Sequence, residues 1–295
     1  MRFPPKNILV PMDLSEPSML AWRQAAMLAQ RFGARLQALY VQEWFYTAIG
    51  TGVGAPIPTA EAAEASIEEL QQRLGPDADI RTVTGLTDRM IVSWAERGWD
   101  LIVMGSHGRT GFDRLVRGSV AEAVVHVSSV PVLVVHDYEP DLKTVLAPVK
   151  PMPYGLEGLK TAARFAAAQG ASLTALHVVS APVYRDSGGL RGTKMMIEDM
   201  IAEIPLSLRE ACRPTVELAF GDPAREIAAA SRDYSATVLV ARSRGFLHDR
   251  VLGTTAERVL RYARRLVLAL PVAVPISRRA EAPARDPRAL RAHRA

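Results

Sequence analysis

Residues 105–119 begin Gly105-Ser106-His107-Gly108, continue for nine residues and end Gly118-Ser119, a G-x2-G-x9-G-S spacing. The motif starts where the apolar run Leu101 to Met104 stops and finishes where a helical pattern begins. Glycines without Cβ let backbone amides approach phosphate oxygens, and a helix start adds unpaired N–H groups and the positive end of its dipole. An oligophosphate suits this chemistry. Ser119 and Glu122 also spell S-x-x-E, so Ser119 can cap the helix with its hydroxyl near the anion. Capping alone accounts for Gly118, Ser119 and Glu122; glycines at both ends of the loop favour phosphate. Asp13 follows Ile8-Leu9-Val10-Pro11-Met12 and is placed to accept hydrogen bonds from ribose hydroxyls. Its alternative is a turn or N-cap role ahead of Leu14-Ser15-Glu16-Pro17.

The elements that must position these residues occur twice. Asn7–Asp13 recurs as Thr144–Lys150 and Gly33–Val41 as Gly170–Val178, both at an offset of 137, and Gly118–Glu122 recurs as Gly253–Glu257 at 135. Within the first copy, strands are predicted at Ile8 to Val10, Leu36 to Val41, Arg81 to Thr84, Leu101 to Met104 and Val132 to Val135. Helices are predicted at Ser18 to Phe32, Ala60 to Leu74, Thr87 to Arg97 and Ser119 to Ser128. This alternation implies an α/β fold, two tandem doubly wound parallel five-stranded sheets of strand order 3-2-1-4-5, with ligands at the carboxyl ends of the strands. The domains are read as 1–139, 140–274 and a basic tail at 275–295. The run Gly50-x-Gly52-x-Gly54 opens no helix and reads as a loop near the site mouth.

Length and composition agree with two compact units, each with its own modest core: 295 residues, 48% hydrophobic and 23% charged. Leu266 to Ile276 is the longest apolar run, broken by Pro271 and Pro275, so no membrane span is expected. No secretory pattern opens the chain, and a lone Cys212 forms no intrachain disulfide or CxxC site; a cytoplasmic location is expected. Residues 1–140 carry a net charge of −4, residues 141–270 +5 and the last 25 residues +4. With no aromatic residue among its arginines, that tail is read as solvated rather than as a nucleic-acid surface.

On these motifs the first copy resembles a universal stress protein domain of the ATP-binding type: V-P-x-D after the first strand, a valine closing the second, and G-x2-G-x9-G-[ST] after the fourth. The resemblance implies that Pro11, Met12, Asp13 and the backbone of Val41 hold ribose and adenine. Gly105, Gly108, Arg109, Gly118, Ser119 and Val120 would hold the phosphates of ATP, with Met104 and the loop residue His107 completing the site. Mg²⁺ or Mn²⁺ would arrive with the nucleotide, no protein metal cage being visible. The resemblance also implies that the last strands, Val132 to Val135 and Leu266 to Leu270, pair between domains as a pseudo-dimer within the chain. Dimerisation of whole chains is compatible with the family and rests on no residue of its own.

The second copy departs from the pattern. Lys150 replaces the aspartate, and Val240-Ala241-Arg242-Ser243-Arg244-Gly245 keeps neither early glycine. Loss of ATP binding is the leading reading; a smaller anion held by Lys150, Arg242 and Arg244 is the alternative, and plain surface basicity the third. Hydrolase, P-loop and zinc-protease signatures are absent, and His126, His136, His177 and His248 have no evident acid partner. A regulatory ATP-binding protein acting on an unidentified protein partner is therefore expected. An ATP-dependent enzyme or slow ATPase is the alternative, and a structural protein with two vestigial sites the third.

Overall fold

The computed structural model describes residues 3–43, 60–106, 119–179, 187–243 and 254–273. The first half runs β1 (Asn7–Met12), α1 (Glu16–Phe32), β2 (Arg35–Gln42), α2 (Ala60–Leu74), β3 (Ile80–Thr84), α3 (Thr87–Ala95), β4 (Leu101–Gly105), α4 (Ser119–Val127) and β5 (Val132–Val135). The second repeats it as β6 (Thr144–Pro148), α5 (Pro153–Gln169), β7 (Ser172–Val179), α6 (Ser187–Ala202), α7 (Leu206–Cys212), β8 (Thr215–Phe220), α8 (Pro223–Ala230), β9 (Ala236–Ser243), α9 (Thr254–Tyr262) and β10 (Leu266–Ala273). The boundaries lie within a few residues of those predicted. Helix α3 stops at Ala95 rather than Arg97 because the chain turns back through Gly98, at φ 102°.

The strands form one sheet, β3-β2-β1-β4-β5-β10-β9-β6-β7-β8, so each half has the expected 3-2-1-4-5 order but the two sheets are continuous. The join is antiparallel, Leu266 opposite Val135 and Ala269 opposite Val132, and it removes the two strand edges at the repeat junction. The remaining strand pairs are parallel.

Two cores are present, divided by sheet face rather than by repeat. One collects Ile8, Val10 and Leu28 with Leu159, Phe165 and Leu173 beneath α1 and α5; the other collects Leu9, Ile102 and Val124 with Leu146, Val259 and Val267 beneath α4 and α9. Alternate strand residues point to opposite faces, so a strand apolar on both sides joins both cores, as Ile8 and Leu9 do. Cys212 is fully buried in the first core, where it packs as a small hydrophobe, and burial pushes its thiol up from the ordinary value. Among the described residues, no helix is long and apolar enough to cross a membrane.

Candidate nucleotide site at the switch point

The strand order reverses between β1 and β4. Their ladder contains only Ile8↔Leu101 and Leu9↔Ile102, against six pairs between β1 and β2. Pro11, which has no N–H to give, lies just beyond that point, and the crevice of the doubly wound sheet opens there. β2 runs on past Tyr40, the partner of Met12, so Val41 stands level with the turn that follows β1.

That turn is tightly built. Asp13 Oδ1 accepts the Ser15 N–H at 3.1 Å and the Ser15 hydroxyl at 2.5 Å. Ser15 Oγ accepts the Ser18 N–H at 3.3 Å and caps α1, while Ser18 Oγ donates to the Ser15 carbonyl. The turn alternative for Asp13 therefore holds, and the N-cap is Ser15. Between them Leu14 adopts φ 65°, a left-handed backbone rare for a branched apolar residue. It is held there by a buried side chain and by Arg73, whose guanidinium donates to the Leu14 carbonyl at 2.8 Å. Nothing in the residue type announced Leu14; such strain gathers at ligand sites.

Gly105 closes β4 against this turn. A Cβ there would lie 2.6 Å from the carbonyl carbon and oxygen of Pro17, so the start of α1 presses directly on the strand end. The sequence assigned Gly105 to phosphate approach; helix packing demands the glycine independently. Met104 is buried in the sheet. His107, Gly108, Arg109 and Gly118 lie outside the described residues, as does the glycine run at 50–54. α4 begins at Ser119, where the anion was expected, with Val120 packed against the core below. Glu122 faces Arg261 of α9, accepting from Nε at 3.2 Å and from Nη2 at 3.1 Å. The helix that starts at the phosphate motif is thus clamped to its counterpart in the other half.

The second half differs at the same place. Lys150, Pro151 and Met152 stand where Asp13, Leu14 and Ser15 do. Proline is confined to negative φ and cannot repeat the Leu14 conformation. The Met152 N–H instead closes a three-residue turn onto the Lys150 carbonyl at 2.7 Å, and Met152 offers α5 no side-chain cap. A Cβ on Gly155 would lie 2.1 Å from that carbonyl. Val240 occupies the position of Gly105, and its Cγ2 sits 2.2 Å from where a Cβ on Gly158 would be. Arg244 falls outside the described residues. Among the described residues no cluster of three His, Cys, Asp or Glu side chains is arranged to hold a metal ion. His177 Nδ1 is 2.9 Å from the Val149 carbonyl.

The sequence profile of the universal stress protein family matches residues 4–136 and again residues 141–271. The chain belongs to the universal stress protein family. It is 36% identical over 146 residues to a universal stress protein of Methanocaldococcus jannaschii, covering 44% of this chain and 81% of that protein. It is 34% identical over 138 residues to universal stress protein A homolog 1 of Coxiella burnetii, covering 44% and 95%. The solved structure of an Archaeoglobus fulgidus universal stress protein superposes with a TM-score of 0.67 at 22% identity, over 90% of this chain and 96% of that one. This universal stress protein therefore joins two family repeats in one sheet.

Proposed function

We propose that the first repeat binds ATP at the carboxyl ends of β1, β2 and β4, and that occupancy regulates an unidentified protein partner in the cytoplasm. The reading rests above all on the Asp13-Leu14-Ser15 turn, built beside the split between β1 and β4 and replaced by Lys150-Pro151-Met152 in the second repeat. Asp13 is assigned to the ribose hydroxyls with Pro11, Met12 and Val41 around the base. Gly105, His107, Gly108, Arg109, Gly118, Ser119 and Val120 are assigned to the phosphates, which bring Mg²⁺ or Mn²⁺ with them. Bound divalent metal would neutralise phosphate charge that the dipole of α4 offsets only in part. The second repeat is assigned a structural role, completing the sheet. Binding is the activity, with hydrolysis slow at most, since no side chain is assigned to a nucleophile or to a positioned water.

Calorimetric titration with ATP and Mg²⁺ tests this. One ATP per chain is expected, abolished by Gly118→Val and weakened about tenfold by Asp13→Ala, as for the loss of one charge-assisted hydrogen bond. Gly253→Val should leave the stoichiometry at one. A wild type that binds no ATP overturns the proposal, and a stoichiometry of two overturns the assignment of the second repeat.

A further inference from the structure

At the opposite end of the first repeat, where β1 and β2 begin, a pocket of about 180 Å³ is lined by Asn7, Arg35, Gln37, Trp94, Arg97 and Trp99. Gln37 is 5% exposed and fully engaged: its carbonyl accepts the Trp94 indole N–H at 3.0 Å and its amide donates to both Asp79 oxygens at 3.0 Å. Arg35 donates to Asp79 at 2.8 Å, which, ahead of burial acting the other way, holds that carboxyl below its usual range. The same guanidinium lies 5.2 Å from the Trp99 ring centroid; Arg97 and Arg81 lie 4.5 and 5.3 Å from that of Trp94.

Three features separate this pocket from ordinary packing. Arg97 and Arg81 make no ion pair among the described residues, so three guanidiniums crowd a patch whose carboxylates are Asp79, bonded to Arg35, and Asp100, which accepts the N–H groups of Lys6 and Asn7 and the Asn7 amide. A guanidinium stacked on an indole spends its face and keeps its edge N–H groups for a ligand, with side-chain entropy already lost. The fold does not require the arrangement: in the second repeat the corresponding positions are Ser172, Thr174, Thr215 and Tyr234, with a simple Thr174–Thr215 hydroxyl contact at 3.3 Å in place of the Gln37–Asp79 bonds.

We propose that this pocket binds a small phosphate-type oxyanion, free phosphate or a phosphate monoester, gripped by the edges of Arg97 and Arg35. It lies at the amino-terminal end of the strands, opposite the ATP crevice, and is independent of it. The test is a ¹⁵N NMR titration of the Trp94 and Trp99 indole signals with inorganic phosphate and, separately, with glycerol 3-phosphate, each against sodium chloride at equal ionic strength. Saturable shifts are expected for wild type and Gly118→Val alike, weakened at least tenfold in Arg97→Gln, whose exposed side chain leaves the fold intact. Tighter binding of glycerol 3-phosphate than of inorganic phosphate assigns the pocket to esters, and the reverse assigns it to free phosphate; either supports the site. No saturation, an equal response to chloride, or wild-type behaviour of Arg97→Gln overturns it.

Discussion

At the end of β4 the first repeat has Gly105, whose missing side chain lets α1 press its Pro17 backbone onto the strand; at the same place in β9 the second has Val240, and room is made on the helix by Gly158. In each half one glycine makes room between the helix and the strand end, on the strand in the first and on the helix, one turn further in, in the second. A motif glycine lost from a strand therefore does not by itself report a lost ligand, because packing can be rebalanced one contact away. The turn after the first strand separates the repeats more sharply: Asp13-Leu14-Ser15 orients a carboxylate and a helix cap, whereas Pro151 forbids that backbone altogether.

The largest stability effect expected is that of Gly105→Ala. Its Cβ would meet backbone, which no neighbouring truncation can relieve, so a loss of about 3 kcal/mol is expected as a lower urea midpoint at unchanged m-value. A loss below about 0.5 kcal/mol would show that α1 can retreat. Gly158→Ala should cost less, about 1–2 kcal/mol, because its obstacle is one methyl of Val240. Adding Val240→Ala removes that methyl, leaves the residue-240 Cβ at 3.8 Å and should recover most of the loss. Strict additivity in this double-mutant cycle would break the argument that the two positions compensate each other. The smallest effect is expected for Arg261→Gln, which removes the bond between α9 and α4. The pair is partly exposed, 41% and 19%, so the cost should stay within about 1 kcal/mol in a thermal melt.

Much of this was legible in the sequence. Repeat, strand order, element boundaries and the pairing of the last strands followed from periodicity and family resemblance, because a parallel sheet writes its strands as short β-branched runs. The division of the cores by face was not legible, since one apolar pattern serves a core bounded by a repeat and one running through both. In the candidate site, Asp13 and Gly105 stood out by type and spacing, but the packing of α1 on Gly105 did not. Leu14 and Gly158 escaped because their roles lie in backbone angle and in a contact between distant elements. The Glu122–Arg261 pair was not legible either, because S-x-x-E reads as a local cap while Arg261 is 139 residues away.

The antiparallel seam between β5 and β10 has a consequence for assembly. Two halves that met as separate molecules would associate by mass action, and dilution would part them. Tied through residues 136–143, they face one another at an effective concentration fixed by the tether. Neither half can withdraw without exposing an edge strand and opening both apolar layers, so unfolding should be a single cooperative event, independent of protein concentration.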